Sequence, residues 1–317
     1  MQRFVIVVAF IIVFAVLIFG YFFQPAPKTL ATPLPSNIAQ EEKVLGFSGN
    51  NFFYADNLWL PADSVNARSQ LTAPEITAKS AFVVEVNSGK VLYSKNPHLR
   101  LPVASTQKIL TALVALELAK PDDIFQVSTT AASVGEDFMG ISAGEKYSPL
   151  DLLYGLMLPS GNDAAAAIAE NIGGSQERFV QLMNDKTRLI GAAHSQFANP
   201  SGLEGDGTNF STAYDLALIS YHGWQNPVFR QVVGTKYHEI PYSAEHKYLF
   251  LENQTNLLGT YDGVIGIKPG FTPSAGLCLV TAAVREGHLI LAVILGSENR
   301  RDEMRALLDF SFTTLNQ

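Results

Sequence analysis

Short apolar runs at both ends of the chain predict strands that belong to one sheet. Ala81 to Val86 is apolar and rich in β-branched residues, and after a break at "NSG" a second run covers Lys90 to Tyr93. This pattern is typical of a hairpin. Leu277 to Val284 and His288 to Leu295 are two stronger runs joined by "REG". Such short connections predict antiparallel pairing.

The segment between these runs has a mostly helical pattern. Pro102 precedes a long helical stretch that ends near Pro121, and helical periodicity also dominates from about residue 145 to 225. Thr212 to Asp215 has the form of a capping box, and a last helix is predicted from Arg301 to Phe312. With "GIKPG" as a further strand, this order predicts an α/β (α+β layered) fold: one antiparallel five-stranded sheet flanked by helices, with an inserted helical subdomain. A cleft is expected where the insertion meets the sheet.

The N-terminus predicts a membrane anchor. The run from Phe4 to Phe23 is uncharged and apolar, and a helix of that length spans about 30 Å, the hydrocarbon thickness of a bilayer. No A-x-A cleavage pattern follows, so we predict an uncleaved segment at 1–23 rather than a cleaved signal peptide. Arg3 favours a cytoplasmic N-terminus. The remaining domain is then expected on the outer side of the cytoplasmic membrane, or secreted if the segment is cleaved.

A linker separates this segment from the predicted domain. Residues 24–75 are rich in Pro, Asn and Ser, which predicts a flexible tether. The aromatic stretch "NNFFYADNLWLP" nevertheless predicts that part of this tether packs on the domain. The domain itself is predicted to cover 76–317.

Composition excludes several classes of function. The 317 residues carry a formal net charge of −7, which argues against nucleic-acid binding because that needs a basic patch. The single cysteine, Cys278, excludes an internal disulfide, and its apolar neighbours predict a buried hydrophobe. The 6 histidines show no H-x-x-x-H or related spacing, so no metal site is predicted.

The stretch "ASTQK" carries the first candidate chemistry. Ser105 and Lys108 are three positions apart, so on a helix they lie on one face and their side chains can meet. A serine hydroxyl is a weak nucleophile that needs an adjacent base. A lysine can be that base when burial and a second cation lower its pKa. Taken alone, the pattern favours an exposed serine and lysine on a helix surface.

Two further stretches contain residues that could surround Ser105 and Lys108. "LPSGND" is a tight loop that enters a helix, where Asn162 or Asp163 can act as a cap. The functional interpretation instead aims Ser160 and Asn162 into a cleft. In "GIKPGFT", Lys268 is the candidate second cation, which keeps Lys108 neutral and attracts an anionic substrate end.

The order S-x-x-K, S-x-N, K-x-G resembles that of the penicillin-recognising serine enzymes. Among these, the chain resembles the D-alanyl-D-alanine carboxypeptidases of the low-molecular-mass penicillin-binding proteins, from about Ala78 to Phe312. The matching segments include "VASTQKILTALVALE", "DLLYGLMLPSGNDAAAAIAE", "FANPSGL" and "GIKPGFTPSAGLCLV". The resemblance implies a β-lactamase/transpeptidase-like fold and removal of the terminal D-alanine from peptidoglycan stem peptides ending in D-Ala-D-Ala. It further implies β-lactams as covalent inhibitors and no cofactor or metal.

The resemblance also implies a role for each motif residue. Ser105 would be acylated and Lys108 would be its general base, while Ser160 passes a proton and Asn162 orients the acyl-chain amide. The oxyanion hole would consist of the N–H groups of Ser105 and Phe271. The substrate-binding residues carried over are Lys268, Gly270, Phe271 and Thr272.

Position 269 departs from the family pattern. Relatives usually have Thr or Ser there, whose hydroxyl helps to bind the terminal carboxylate of the substrate, and Pro269 has none. We therefore expect Thr272 or Arg301 to supply a substitute contact. Proline is tolerated on edge strands, so Pro269 also predicts that this strand lies at the edge of the sheet.

Three other functions stay open at this point. A class A β-lactamase needs a deacylating glutamate, for which Glu204 is the candidate. A membrane-tethered sensor without turnover is favoured by Pro269 and opposed by the Ser105–Lys108 pair. An endopeptidase that cleaves crosslinks would use the same residues on a branched substrate.

Overall fold

The computed structural model describes residues 71–205 and 208–316. The predicted anchor at 1–23 and nearly all of the predicted linker at 24–75 lie outside these residues. Among the helices that are described, none combines the length and apolarity needed to cross a bilayer. The anchor, the linker and the domain boundary at residue 76 therefore stay predictions.

A five-stranded antiparallel sheet forms the centre of the fold, in the order β2-β1-β9-β8-β7. The strands of the described residues are β1 (Ser80–Glu85), β2 (Lys90–Lys95), β3 (Phe125–Gln126), β4 (Lys146–Tyr147), β5 (Tyr237–Ile240), β6 (Leu249–Glu252), β7 (Val264–Thr272), β8 (Gly276–Arg285) and β9 (His288–Ser297). Ser80 of β1 lies opposite Leu295 of β9, which confirms that both ends of the domain build the sheet. The predicted edge position of β7 is also confirmed, because it ends the strand order.

Most of the helices form an insertion between β2 and β7. The helices of the insertion are α1 (Lys108–Leu118), α2 (Thr129–Ala132), α3 (Pro149–Met157), α4 (Asn162–Gly173), α5 (Gln176–Leu189), α6 (Ala213–Trp224) and α7 (Pro227–Gly234). One more helix, α8 (Arg300–Leu315), follows β9. The insertion contains two small hairpins, β3–β4 and β5–β6, beside its helices. The predicted helical subdomain and the final helix are therefore present.

The sheet is buried on both faces, which explains why its central strands are continuous apolar runs rather than alternating ones. Along β9, Leu291 and Val293 belong to one apolar core and Ala292 and Ile294 to the other. Successive side chains of a strand point to opposite faces, so the two cores lie on opposite sides of the sheet. Helix α8 packs on one side, and α6 packs on β1 and β9 on the other.

The first helix differs from its prediction in a way that matters for the site. The pattern after Pro102 predicts a regular helix, but α1 begins only at Lys108 and is preceded by a 3₁₀ turn at Ala104–Gln107. The N–H and the hydroxyl of Thr106 both donate to the Val103 carbonyl, at 3.2 and 2.6 Å. This i→i+3 hydrogen bond is the one that defines a 3₁₀ turn, so the chain is wound more tightly just before α1 than in the helix itself.

A buried carboxylate ties the start of the described domain to its end. Glu303 on α8 is 8% exposed and accepts hydrogen bonds from the Thr77 hydroxyl at 2.6 Å, the Ala78 N–H at 3.3 Å and the Ser297 hydroxyl at 2.6 Å. The segment before β1 is thereby fixed beside β9 and α8.

We predict that Glu303→Ala lowers the free energy of unfolding by about 2–3 kcal/mol, because it leaves these donors without an acceptor. Glu298→Ala removes the same charge from an exposed position nearby and is expected to change stability by less than about 0.5 kcal/mol. Urea unfolding of both variants tests the assignment, and equal losses would contradict it.

Candidate active site

The serine and lysine of the first motif meet across the junction between the 3₁₀ turn and α1. Side chains three positions apart eclipse one another in a 3₁₀ turn, and the Lys108 Nζ lies 3.0 Å from the Ser105 Oγ. The pairing proposed from the spacing is thus present in the structure, although a 3₁₀ turn rather than an α-helix carries the serine.

The surroundings of Lys108 suit a neutral amine. Its side chain is fully buried, and its Nζ lies 2.8 Å from the Asn162 Oδ1 and 2.7 Å from the Ser201 carbonyl oxygen. Both oxygens can only accept, so they take the two N–H bonds of a neutral amine. The remaining lone pair then faces the Ser105 hydroxyl. Burial, and after it the charge of Lys268, holds the pKa of Lys108 well below its usual value.

The Ser201 carbonyl is held in place by the "FANPSGL" segment. The Asn199 Oδ1 accepts from the N–H groups of Ser201 at 3.1 Å and Gly202 at 2.7 Å. Gly202 has φ +90°, and a Cβ there would lie 2.3 Å from the Ala104 carbonyl oxygen. This segment is part of the family resemblance, but the sequence predicts no role for it. A main-chain acceptor leaves no side-chain signature by which it can be found.

The loop between α3 and α4, with the first residue of α4, brings Ser160 and Asn162 next to the Ser105–Lys108 pair. Ser160 adopts a left-handed backbone conformation, with φ +69°, which costs of order 1–3 kcal/mol for a residue other than glycine. Its side chain is 1% exposed, and its Oγ has no hydrogen-bond partner among the described residues. Asn162 donates from its Nδ2 to the Gly135 carbonyl at 3.0 Å and from its main-chain N–H to the Asp137 carbonyl at 2.8 Å.

Neither Asn162 nor Asp163 occupies the cap position of α4, although the Asp163 Oδ1 accepts from the Ala164 N–H of the first turn at 2.8 Å. The cap position is Gly161, which makes no side-chain cap hydrogen bond. The buried carboxylate of Asp163 also accepts from the N–H groups of Met139 and Gly140 at 2.8 Å and from that of Ile141 at 3.1 Å. It therefore fixes the segment that continues from 135–137 along the wall of the site.

Lys268 on β7 is the second buried lysine of the site. It is 0% exposed, and its Nζ has no hydrogen-bond partner within the described part of the chain. Burial lowers the pKa of Lys268 to about 7; the Asp137 carboxylate opposes this shift and the Arg300 charge adds to it. Its charge also depresses the pKa of Lys108, which is the electrostatic relation expected from the sequence.

Gly270 lets β7 approach the nucleophile closely. A Cβ at this position would lie 3.0 Å from the Ser105 nitrogen and 3.1 Å from the Thr106 nitrogen, tighter than side chains normally pack. The strand therefore runs directly against the 3₁₀ turn. The next residue, Phe271, is 60% exposed and lines the same opening. An oxyanion hole made of the Ser105 and Phe271 N–H groups stays a prediction.

These elements enclose a cleft of about 370 Å³, a volume at the small end for a ligand site. The residues that line it are Ser105, Glu136, Asp137, Ser160, Gln254, Pro269, Gly270, Phe271 and Arg300. The cleft lies between the helical insertion and the edge of the sheet, as predicted.

Neither Arg301 nor Thr272, the residues predicted to supply the substitute contact, lines the cleft. Arg301 is exposed and is not among the lining residues, whereas Arg300 lines the cleft and donates from its Nη1 to the Gly270 carbonyl at 2.7 Å. Thr272 is 9% exposed, its hydroxyl accepts from the Ala275 N–H at 3.2 Å, and it does not line the cleft. The last helix begins at Arg300, one residue earlier than predicted, and Arg300 rather than Arg301 is the arginine at the cleft.

Glu204 is not placed as the deacylating base of a β-lactamase. Its carboxylate accepts from the N–H of Ser274 at 2.9 Å and from the hydroxyl of the same residue, and it is not among the residues that line the cleft. The β-lactamase alternative therefore receives no support from the geometry.

Metal ligation and thiol chemistry are two further possibilities for a cleft, and Cys278 is not among the residues that line this one. In residues 71–205 and 208–316, no group of three or more His, Cys, Asp and Glu side chains is arranged to hold a metal ion. Cys278 is fully buried, as predicted, and burial raises the pKa of its thiol to about 11.

Comparison with known proteins points to a single family. The family model of D-alanyl-D-alanine carboxypeptidases matches residues 67–299. The chain is 36% identical over 244 residues to the D-alanyl-D-alanine carboxypeptidase DacF of Bacillus subtilis, which covers 74% of this chain and 62% of that protein. It is 35% identical over 266 residues to DacB2 of Mycobacterium tuberculosis, with coverages of 80% and 88%.

Solved structures show the same relationship. The crystal structure of the Streptomyces K15 DD-transpeptidase superposes with a TM-score of 0.72 at 30% sequence identity, over 77% of this chain and 100% of that chain. The similarity therefore covers the sheet together with its helical insertion.

We predict that Lys268→Met stabilises the protein, because it removes a buried amine that has no hydrogen-bond partner among the described residues. The expected gain at pH 7 is about 2–4 kcal/mol in the free energy of unfolding. The unfolded chain keeps this lysine protonated up to about pH 10, whereas the folded state releases the proton near pH 7. The unfolded state thus binds more protons between these values, and the contribution of Lys268 to stability rises with pH.

Urea unfolding at pH 7 and pH 9 measures both effects. The wild type is expected to gain stability relative to Lys268→Met by up to about 1.4 kcal/mol per pH unit. Lys120→Met, at an exposed position, is the matched control and is expected to follow the wild type. A variant that is less stable at pH 7 and has an unchanged pH slope would contradict the assignment.

Proposed function

The chain belongs to the D-alanyl-D-alanine carboxypeptidase family of serine peptidases, and we propose that it removes the terminal D-alanine from peptidoglycan stem peptides through an acyl-enzyme on Ser105. The observation that carries this proposal is the 3.0 Å contact between the Ser105 hydroxyl and a fully buried lysine amine. A binding protein gains nothing from such a pair, whereas a hydrolase needs it to activate the nucleophile.

Acylation begins with proton transfer to Lys108. Its lone pair accepts the Ser105 proton while the Oγ attacks the carbonyl carbon of the penultimate D-alanine. The Asn162 and Ser201 oxygens stay bonded to the amine and stabilise the ammonium that forms, since each bond to a charged donor is stronger than the same bond to a neutral one. The developing oxyanion would be held by the N–H groups of Ser105 and Phe271.

The second half of the reaction uses the wall opposite β7. The Ser160 hydroxyl is buried in the cleft and has no hydrogen-bond partner among the described residues. It is therefore free to relay the proton that Lys108 has taken up to the leaving D-alanine amine, which returns Lys108 to its neutral form. We assign to Asn162, whose Oδ1 lies 2.8 Å from the Lys108 Nζ, the orientation of the acyl-chain amide that the family resemblance implies. Water then attacks the ester, and Lys108 serves again as the base.

Arg300 and Lys268 are the groups that we assign to the terminal carboxylate of the substrate. Pro269 offers no hydroxyl, but Arg300 lies beside it in the cleft and is anchored to the Gly270 carbonyl. A guanidinium binds carboxylate oxygens with strong, charge-assisted hydrogen bonds. A bound carboxylate also provides a counter-ion near the Lys268 amine, which has no partner among the described residues.

Two further features follow from the sequence and belong to the same proposal. β-Lactams are expected to acylate Ser105, because they present a strained amide to the same nucleophile. The apolar run Phe4 to Phe23 supports a single-pass membrane anchor, with the peptidase domain on the outer side of the cytoplasmic membrane.

The purified full-length chain in detergent should release D-alanine from a peptide ending in D-Ala-D-Ala and should become labelled by a fluorescent penicillin. Ser105→Ala is the control and should abolish both signals, because it removes the acylated oxygen. Absence of both signals in the wild type would overturn the enzymatic assignment and leave a sensor. Cleavage of a crosslinked dimer without release from the linear peptide would indicate an endopeptidase instead.

Arg300→Met should lower kcat/KM for a D-Ala-D-Ala peptide by about 10- to 100-fold, mainly through KM, because one charge-assisted contact to the carboxylate is lost. Arg301→Met removes the same charge from the exposed neighbour and should have little effect. Steady-state kinetics distinguish the two arginines. If Arg301→Met is the more damaging change, the placement of Arg300 as the carboxylate contact is wrong.

A further inference from the structure

Ser160 holds an unfavourable backbone conformation on which its chemistry depends. Its φ of +69° lies in the left-handed region, which a residue other than glycine keeps only when its surroundings enforce it. The reaction proposed for this cleft needs the Ser160 hydroxyl to relay a proton to the leaving amine. A relaxed backbone with negative φ would turn the hydroxyl in another direction, so the relay depends on the contacts that fix this angle.

Two peptide units flank Ser160, and each is held by a hydrogen bond. In the unit that follows Ser160, the Gly161 N–H donates to the Gly155 carbonyl at 2.9 Å. In the unit that precedes it, the Pro159 carbonyl accepts from the Nε2 of Gln254 at 3.0 Å. Peptide units are planar and rigid, so holding both planes fixes φ and ψ of the residue between them.

Gln254 also binds the residue before this turn. Its main-chain N–H donates to the Leu158 carbonyl at 3.1 Å, so one residue binds the carbonyls of both residues that precede Ser160. Pro159 has no N–H with which to anchor the turn itself. Gln254 therefore braces the turn from a segment that is distant in sequence, and it lines the cleft beside Ser160.

The brace is anchored from outside the cleft. Asn253, the residue before Gln254, donates from its Nδ2 to the Thr235 carbonyl and from its N–H to the Lys236 carbonyl, both at 2.8 Å. The Asn253 Oδ1 accepts from the Thr255 N–H at 2.9 Å. Gln254 is thus tied to the connection between α7 and β5, which gives the Ser160 turn a fixed support.

We propose that Gln254 is a positioning residue for proton transfer, whose side-chain amide holds the Pro159–Ser160 peptide unit so that the Ser160 hydroxyl faces the leaving amine. This inference rests on the proposed function, which assigns the relay to Ser160. The Ser160 Oγ has no hydrogen-bond partner among the described residues, so the backbone sets its direction. Without the Gln254 amide the turn relaxes, and the proton reaches the leaving group more slowly.

A competing role for Gln254 is direct contact with the substrate, because its side chain lines the cleft. That contact would help every substrate, whatever its leaving group. Proton transfer depends on the leaving group, because an amine leaves only after its nitrogen is protonated, whereas the alkoxide of an ester needs less help from an acid. In both cases the bond from the acyl carbon to the leaving atom breaks, and that atom receives the proton that Lys108 took from Ser105.

The test compares a peptide ending in D-Ala-D-Ala with the same peptide ending in D-alanyl-D-lactate. In the full-length chain, Gln254→Met nearly keeps the length of the side chain and removes its amide. We expect kcat/KM to fall by about 10- to 50-fold for the peptide and by less than about 3-fold for the ester, since a positioned proton donor contributes about 10²- to 10⁴-fold. Gln225→Met removes an amide that binds the Tyr221 carbonyl outside the cleft and should change neither value.

Ser160→Ala provides a second measurement. Because Gln254 acts through Ser160, adding Gln254→Met to Ser160→Ala should lower kcat/KM for the peptide by less than about 2-fold further. Losses that multiply in the double variant would overturn the proposal. Equal losses for peptide and ester in Gln254→Met would also overturn it, in favour of direct contact with the substrate.

Hydrogen exchange keeps the brace separate from the proposed activity. In Ser105→Ala, which lacks the acylated oxygen, adding Gln254→Met should speed exchange of the Gly161 N–H by about 5-fold or more, because its bond to Gly155 opens when the turn relaxes. Faster exchange, together with no release of D-alanine or D-lactate by the wild type, would support the brace and reject the carboxypeptidase activity. Unchanged exchange together with normal release would reject the role of Gln254 alone.

Discussion

The site depends on keeping a lysine amine out of water without giving it an anion. Burying a charged ammonium costs several kcal/mol, so the fold favours the neutral amine, whose free lone pair can accept a proton. The two groups that contact Lys108 beside the nucleophile, the Asn162 side chain and the Ser201 carbonyl, are both uncharged acceptors. A carboxylate in either place would hold the proton on the lysine and remove its basicity. The basicity of Lys108 is therefore a property of the surrounding fold rather than of the motif alone.

That requirement explains how distant segments come together. Lys108 begins α1, Asn162 begins α4, and Ser201 belongs to an irregular segment before α6. Backbone closes the remaining sides, because Gly202 and Gly270 approach the 3₁₀ turn closely: a side chain at Gly202 would collide with its main chain, and one at Gly270 would be packed more tightly than is normal. Such close packing excludes water from around the amine. It also fixes Ser105 against the strand along which the substrate is expected to lie.

Features of the site that are local in sequence could be predicted, whereas those that depend on contacts between distant segments could not. The sheet could be predicted because strand periodicity and short turns are local properties, and β1 with β2 and β8 with β9 follow them closely. The pairing of Ser105 with Lys108 could be predicted because it spans one turn. The contact of the Ser201 carbonyl with Lys108 and the hydrogen bonds from residues 139–141 to the Asp163 carboxylate could not be predicted, since each joins segments far apart in sequence. The choice of Arg301 over Arg300 failed for a similar reason, because which of two adjacent arginines faces the cleft depends on how the last helix packs against β7 and β8, not on their position after the motif.

The site is built at a cost in stability, and that cost indicates what completes it. Lys268 and Ser160 are buried without partners among the described residues, and Ser160 also holds a left-handed conformation. Each is unfavourable in the free protein, but each offers hydrogen bonds that need no rearrangement when a substrate arrives. A terminal carboxylate near Lys268 and Arg300 supplies the missing negative charge, and a leaving amine beside Ser160 supplies the missing partner. Pro269 therefore removes one hydroxyl from a site whose main attraction for the peptide end is the charge of Arg300 and Lys268.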